Sequence, residues 1–351
     1  MDDGWWRQEE KQTEKKGETT MKQKRILTGD RTTGRLHLGH YAGSLQSRVR
    51  LQDEYDTFIL LADVQALTTH FEQPELVEKN IYEVAIDNLS AGLDPEKVTL
   101  VQQSAVPAIA ELTVFYSMLV SVNVLRHNPT IKTEAKQYGY DDLTYGFLGY
   151  PVSQTADITF CDADAVPVGE DQLPHMELTR RIVRRFNALY GNGKEIIKIP
   201  QELISQSPRI AGLDGAAKMG KSANNALYLS DGRETVFAKI KSAVTDPNRI
   251  RRTDRGNPEV CTVSQYHKAF NPEEYDEVCA SCRNGAVGCA ACKERLAEHI
   301  DALLTPIRER RSYYEAHRDT VRELIAAGSE KAARIGAQKM EQVKECMHIA
   351  L

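Results

Sequence analysis

Residues 24–40 read KRILTGDRTTGRLHLGH, and this stretch indicates the fold of the chain. The apolar run in Lys24–Gly29 predicts a short buried strand that ends at a glycine. A glycine-flanked turn follows, and a helix is expected to begin near Gly39. Free backbone N–H groups at a helix start, together with the helix dipole, favour a bound phosphate. His37 and His40 add donors that can follow charge during a reaction.

Two more strands are predicted downstream, at Thr57–Ala62 and Lys97–Gln102. Between them, apolar residues at helical spacing predict a helix of about 17 residues that starts near Pro74. Strand, helix and strand at this spacing indicate a parallel sheet with crossover helices. The expected fold class is therefore α/β, a Rossmann-like doubly wound parallel sheet with a helical C-terminal domain. Ligands of such sheets bind at the carboxyl ends of the strands.

Composition excludes several classes of protein. The chain has 351 residues, of which 41% are hydrophobic and 27% charged, and its formal net charge is −5. These values are typical of a globular protein large enough for two domains. No run of about 18 apolar residues is present, and the N-terminus lacks the apolar core of a secretory signal, so no membrane association and a cytoplasmic location are expected.

Residues 1–20 form a polar N-terminal extension that is expected to be disordered. Trp5 and Trp6, the two tryptophans of the chain, lie in it. An exposed aromatic pair either docks a protein partner or is an incidental feature of a tail.

A second phosphate-binding element is predicted in the loop AGLDGAAKMGKSANN at residues 211–225. Lys218 and Lys221 lie three residues apart in a segment rich in glycine, alanine and asparagine. Lysine suits phosphates as a point charge, and a mobile loop can supply that charge mainly in the transition state. The alternative is an ordinary exposed basic loop.

The motifs HLGH at 37–40 and KMGKS at 218–222, about 180 residues apart, together resemble the HIGH and KMSKS motifs of class I aminoacyl-tRNA synthetases. Between them lie YPVSQTADI at 150–158 and VPVGEDQ at 166–172. This combination resembles the tryptophanyl-tRNA synthetases, and the resemblance covers about residues 24–351.

The resemblance implies that ATP, with Mg²⁺, activates L-tryptophan to tryptophanyl-adenylate, and that the tryptophanyl group passes to tRNA(Trp). It also implies a homodimer, a catalytic domain at 21–233 and a helical anticodon-recognition domain at 234–351. The catalytic residues it implies are His37, His40, Lys218, Lys221 and Ser222. The implied ATP-binding residues are Arg31, Thr32, Thr33, Gly39, His40, Gly169, Glu170, Asp171, Arg209, Ile210, Lys218, Met219, Gly220, Lys221 and Ser222.

The amino-acid pocket is implied in the same way. Its residues are Gly29, Tyr150, Gln154, Asp157, Val168 and Gln172. Asp157 is expected to accept the indole N–H, because indole offers one donor and no acceptor. Without the motif, Asp157 would be interpreted as a helix carboxylate paired with a neighbouring arginine. Three residues depart from the usual family pattern: Gly220 replaces serine, Arg31 glutamine and Gln154 methionine.

Five of the seven cysteines lie between positions 261 and 292, in a Cys-rich insert. Paired C-x₂-C units indicate zinc or an iron–sulfur centre. One candidate set is Cys279, Cys282, Cys289 and Cys292. The other is Cys261, Cys282, Cys289 and Cys292, which resembles the [4Fe–4S] site of some tryptophanyl enzymes. Free or partly oxidised thiols are the remaining alternative.

The last helical region is predicted as two amphipathic helices, Thr305–Ala327 and Glu330–Cys346, separated by Gly328. Arginines 308, 310, 311 and 318 form a basic cluster there, which either contacts nucleic acid or, as charge runs usually do, lies on solvated helix faces; the second is expected. Three other functions stay open at this point: a tyrosyl enzyme, a small-molecule nucleotidyltransferase, and a catalytically weakened duplicate that acts as a binding protein.

Overall fold

The computed structural model describes residues 23–169, 172–204, 210–216, 219–220 and 225–350. The strands are β1 (Arg25–Arg31), β2 (Asp56–Ala62), β3 (Val98–Gln102), β4 (Ala165–Val168) and β5 (Gln201–Ile204). The first α-helices are α1 (Leu38–His40), α2 (Gln46–Leu51), α3 (Asp63–His70), α4 (Pro74–Ser90), α5 (Pro107–Ser117), α6 (Val122–Arg126) and α7 (Pro129–Tyr138). The later ones are α8 (Tyr145–Thr159), α9 (Leu173–Tyr190), α10 (Arg233–Ser242), α11 (Thr262–Phe270), α12 (Tyr275–Arg283), α13 (Cys289–Ala316) and α14 (Arg318–Cys346).

The strands form one parallel sheet in the order β3-β2-β1-β4-β5. The chain therefore builds outward from β1 in one direction and then, through β4, in the other. The crevice between the carboxyl ends of β1 and β4 is the topological switch point, where parallel sheets bind their ligands.

The predicted strands and the α4 helix are confirmed, to within two residues at each end. In α4, Pro74 occupies the first turn, where its missing N–H costs nothing, and the apolar stripe is buried. In β2, alternate residues enter different cores: Phe58 and Leu60 pack on one face of the sheet, and Ile59 and Leu61 on the other. Because both faces are covered, the doubly wound α/β class is confirmed.

The C-terminal helices differ from the prediction. The break lies at His317, between α13 and α14, and Gly328 is inside α14 rather than at a helix end, so the predicted break was wrong. A Cβ atom added to Gly328 would lie 2.0 Å from the backbone oxygen of Leu100 in β3. The glycine is therefore explained by close helix–strand packing and not by helix termination.

Helix α14 also provides hydrogen-bond partners for groups on the edge strand β3. The backbone N–H of Gln102 donates to Ser329 Oγ at 3.0 Å, and Lys331 Nζ donates to Thr99 Oγ1 at 2.9 Å. Covering the β3 edge in this way removes a surface on which another strand could pair. The C-terminal helix thus packs on the sheet, and a domain division at 233/234 stays a prediction.

Across the described ranges, no helix is both long enough and apolar enough to cross a membrane.

Candidate active site

The HLGH turn is fixed by its own histidines. His37 Nδ1 accepts from the Gly39 N–H at 3.1 Å, and the His37 N–H donates to His40 Nδ1 at 3.2 Å. The two imidazole centroids are 3.9 Å apart. Because both Nδ1 atoms accept, each neutral ring carries its hydrogen on Nε2, the atom that can donate to a phosphate oxygen. A π-helical turn, Tyr41–Leu45, follows directly, and such turns are frequent at functional sites.

The segment after the lysine loop lies beside this turn. The Leu38 N–H donates to the Leu227 carbonyl at 2.9 Å, and the Leu229 N–H donates to the Leu36 carbonyl at 3.1 Å. His37 and Tyr228 form an antiparallel bridge between the two segments. Residues 225–229 are therefore held against the HLGH motif.

The lysine loop itself reaches the turn at Met219, which is buried. A Cβ atom added to Gly39 would lie 3.6 Å from Met219 Cβ and 2.9 Å from His37 Cε1. The Met219 N–H donates to the Ile210 carbonyl, and the Gly220 N–H donates to Asn225 Oδ1 at 2.9 Å. The two motifs thus meet at Gly39 and Met219. Lys218, Lys221 and Ser222 lie outside the described residues.

A buried ion pair between Arg48 and Asp30 holds the end of β1, from which the HLGH turn continues. Arg48 Nη1 lies 2.6 Å from Asp30 Oδ2 and also donates to Asn88 Oδ1 at 2.9 Å. Burial alone would raise the pKa of Asp30, but the Arg48 guanidinium holds it well below its usual value. Asp30 therefore stays ionised. Beyond it, Thr32 is fully buried, and its hydroxyl has no hydrogen-bond partner among the described residues, whereas Thr33 is half-buried.

Asp157 lies on α8 and is almost fully buried. Its Oδ1 accepts from Gln103 Nε2 at 2.7 Å. Burial, together with the charge of Asp63, raises its pKa to about 7, although the Gln103 hydrogen bond opposes this. Its hydrogen-bond partner is thus a neutral amide and not the arginine of the alternative interpretation. A carboxylate in these surroundings gains from an additional N–H donor.

Tyr150 precedes Asp157 by seven residues, so both lie on the same face of α8. It is buried, and its hydroxyl lies 3.2 Å from His175 Nε2. Gln154, half-buried, is one turn from Tyr150 on the same helix. This face of α8 therefore carries the Asp157 carboxyl group at one end and the Tyr150 phenol two helical turns away at the other.

The other pocket residues lie at the switch point. Gly29 is in β1, where an added Cβ would lie 2.3 Å from the Leu60 carbonyl oxygen, so the close strand approach requires glycine. Val168 ends β4, and the Gln172 N–H donates to the Gly169 carbonyl at 3.0 Å. Glu170, Asp171 and Arg209 lie outside the described residues.

Comparison with known proteins agrees with this geometry. The family model for class I tRNA synthetases of tryptophan and tyrosine (W and Y) matches residues 19–305. The chain belongs to this class I synthetase family. It is 44% identical to the Lactococcus lactis tryptophan–tRNA ligase over 334 residues, covering 92% of this chain and 97% of that protein. It is 45% identical to the Streptococcus mutans tryptophan–tRNA ligase over 334 residues, covering 92% and 98%.

Solved class I synthetases have the same fold. The Campylobacter jejuni tryptophanyl-tRNA synthetase, complexed with ADP and tryptophan, superposes with a TM-score of 0.80 at 28% identity, covering 92% of this chain and 99% of that one. The Mycoplasma pneumoniae enzyme gives a TM-score of 0.78 at 26% identity. Within the class I family, the chain groups with the tryptophanyl synthetases, and like other class I synthetases it uses ATP.

Two residues beside Asp157 were missed by the sequence analysis. Gln103 follows β3, and Asp63 begins α3, which follows β2. Both therefore lie at the carboxyl edge of the sheet. The polar run Gln102–Ser104, which begins at the last residue of a buried strand, was the signal that could have indicated Gln103.

The cysteine cluster divides into two parts. Cys279 is buried, with its Sγ 3.8 Å from Ser264 Oγ. The second part consists of Cys261, Cys282, Cys289 and Cys292. Burial, and after it the charges of the other three cysteines, raise the pKa of the Cys292 thiol to about 12. These four thiols are thus close enough to interact.

Charged and polar groups flank these four thiols. Arg249 Nη1 is 3.6 Å from Cys282 Sγ, and His267 Nε2 is 3.5 Å from Cys292 Sγ. Over the described part of the chain, no three His, Cys, Asp or Glu side chains are arranged to hold a metal ion.

Proposed function

We propose that the chain activates L-tryptophan with ATP and transfers the tryptophanyl group to the 3′-terminal ribose of tRNA(Trp). The observation that carries the proposal is the meeting of the HLGH turn with Met219 of the lysine loop, at the ligand-binding edge of the sheet. Asp157 at the same edge supplies a buried acceptor for an indole N–H.

The chemistry follows from these groups. The tryptophan carboxylate attacks the α-phosphorus of ATP, and pyrophosphate leaves. A hydroxyl of the tRNA ribose then attacks the acyl carbon of the tryptophanyl-adenylate, and AMP leaves. The protein positions the reactants and stabilises charge that grows on the phosphates. His37, His40 and the loop lysines 218 and 221 supply that charge stabilisation, and Mg²⁺ accompanies ATP through phosphate oxygens.

Pyrophosphate exchange with each of the twenty amino acids tests this function. Exchange is expected with tryptophan and only weakly with tyrosine. Lys221→Ala should lower the rate with tryptophan about 100-fold, as the loss of a transition-state contact would. Lys79→Ala, on the exposed side of α4, is the control and should leave the rate unchanged. Exchange with tyrosine instead, or with no amino acid, would contradict the proposal.

We also propose that Cys261, Cys282, Cys289 and Cys292 hold one metal centre, either a [4Fe–4S] cluster or zinc. Four thiolates suit both. The support is that the four thiols lie close to one another. Burial is the main cause of the raised thiol pKa of Cys282 and Cys292, and the charges of the neighbouring cysteines add to it. A protein prepared without air should contain iron and sulfide, with visible absorbance, or one zinc per chain. A metal-free preparation would contradict the proposal.

The partners are tRNA(Trp), read by the helical C-terminal region, and a second copy of the chain. An exposed apolar patch supports a homodimer: Val114, Met118 and Val122 are each more than half exposed near the end of α5 and the start of α6. Met118→Glu should therefore shift the chain from dimer to monomer in light scattering. Docking of a protein through Trp5 and Trp6 stays a prediction, because both lie outside the described residues.

A further inference from the structure

Glu134 lies on α7 and reaches into the site described above, although no motif includes it. Its Oε1 is 3.7 Å from Arg31 Nη2, at the end of β1. The Tyr150 hydroxyl is within hydrogen-bonding reach of this carboxylate, and the charge and hydrogen bond of Glu134 raise the pKa of Tyr150, after burial as the main cause. Glu134 therefore joins the end of β1 to the phenolic end of α8.

One oxygen of this carboxylate is left without a partner. Glu134 Oε2 is buried and accepts no hydrogen bond from any described residue. Arg31 compensates the charge only in part, because 3.7 Å is too long for a hydrogen bond. A buried carboxylate oxygen without a donor costs free energy, so a hydrogen-bond donor on a bound molecule would stabilise this atom.

The position of Glu134 limits what the ligand group can be. Arg31 ends β1 beside the switch point, and Tyr150 is two helical turns from Asp157 on α8. A tryptophan whose indole N–H meets Asp157 therefore extends its polar end toward Tyr150. That end carries an ammonium group, which donates three hydrogen bonds, and a carboxylate, which donates none. Only the ammonium group complements an acidic acceptor.

We propose that Glu134 binds the α-ammonium group of the amino-acid substrate and so selects an α-amino acid over a des-amino analogue. This proposal rests on the proposed function. It makes Glu134 a specificity-determining residue, and Arg31 compensates part of its charge. The pair also accounts for arginine at position 31, where glutamine is the more usual residue, because an acidic neighbour favours a cation.

The alternative is that Glu134 only anchors Arg31. The two roles differ in what they do to ligands that lack the ammonium group. An anchoring residue affects tryptophan and indole-3-propionate alike, whereas an ammonium-binding residue affects tryptophan alone. They differ also in the effect of removing Arg31, which would reproduce the loss of Glu134 only if anchoring were its role.

Calorimetric titration without ATP separates these cases, with L-tryptophan and indole-3-propionate as probes. Glu134→Gln should weaken tryptophan binding about 10- to 100-fold, as expected for a lost hydrogen bond to a charged group. Binding of indole-3-propionate should stay the same or tighten, because its carboxylate no longer meets a negative charge. Arg31→Gln should leave tryptophan affinity within a few-fold of the wild-type value.

Glu78→Gln is the matched control, since Glu78 is an exposed glutamate on α4. Glu134→Asp keeps the charge and should recover part of the preference for tryptophan. Equal weakening of both ligands in Glu134→Gln, or unchanged tryptophan affinity, would overturn the proposal. Failure of the proposed function would look different, because wild-type protein would then bind neither ligand.

Discussion

Asp157 is a residue whose protonation should control substrate affinity. Burial raises its pKa to about 7, with the charge of Asp63 adding to the effect and the Gln103 hydrogen bond opposing it. A raised pKa means that the carboxyl takes up a proton as the pH falls through 7. The protonated acid is a much weaker acceptor for the indole N–H than the carboxylate is.

The KM for tryptophan is therefore expected to rise about tenfold between pH 8 and pH 6, which follows from the ionised fraction of one group with that pKa. The KM for ATP should change much less. In Asp157→Asn the KM for tryptophan should be higher and flat across this range. Steady-state pyrophosphate exchange at several pH values measures both constants. A wild-type profile as flat as that of the Asn variant would exclude Asp157 from indole binding.

For single residues, the sequence predicted those that belong to local motifs. His37, Gly39 and Met219 are examples, because each lies in a run whose spacing carries the information. Glu134 could not be predicted, since it acts through Arg31, a partner that is distant in sequence. Gln103 had a local signal at the end of β3, but its partner Asp157 is 54 residues away and could not be assigned from the sequence. Only the folded sheet edge brings such residues together.

Among the elements, α13 and α4 are joined by a buried ion network that leads to the HLGH turn. Arg311 on α13 pairs with Glu83 and, at 2.5 Å, with Asp87, both on α4. Asp87 Oδ2 accepts from the Leu36 N–H at 2.6 Å. The segment directly before His37 is thus held by carboxylates that Arg311 neutralises, and this arginine is not on a solvated face as the sequence analysis expected.

Replacing Arg311 with methionine removes the ion-pair partner of the buried Asp87 carboxylate, while Glu83 keeps its ion pair with Arg35 at 2.8 Å. The free energy of unfolding should fall by about 3–5 kcal/mol, the usual cost of removing one partner of a buried pair. Arg310→Met is the control, because Arg310 is exposed and donates to the Ser90 carbonyl from the same helix. It should cost no more than about 1.5 kcal/mol, the loss of one hydrogen bond.

Urea unfolding of both variants measures the difference. Adding Asp87→Asn to the Arg311 variant should restore part of the stability, because the uncompensated charge is then gone. Equal small losses for the two arginine variants would show that the network carries no net stabilisation.

Over the whole molecule, the C-terminal helix and the parallel sheet form one packed body along β3. Helix α14 contacts the β3 backbone at Gly328 and hydrogen-bonds it through Ser329. The sequence predicted an amphipathic helix here but not its docking surface, because helical periodicity identifies the apolar face and not the element that covers it. A glycine inside that helix was misinterpreted as a terminator for the same reason.

Gly328→Ala tests this arrangement, because local and tertiary effects have opposite signs. Helix propensity alone would stabilise the protein by about 1 kcal/mol. The added methyl group, however, would overlap the Leu100 carbonyl oxygen, and a backbone atom cannot move aside as a side chain can. Overpacking of this kind costs about 1–3 kcal/mol or more, so the net effect should be destabilising.

The matched control is Gly146→Ala in α8, where an added Cβ meets no atom within 4 Å. That variant should be neutral or stabilised by up to about 1 kcal/mol, since only propensity acts. Thermal unfolding of the two variants beside the wild type gives the comparison. Stabilisation by both substitutions would mean that α14 does not lie against β3, and the C-terminal region would then be a separate body attached to the catalytic sheet.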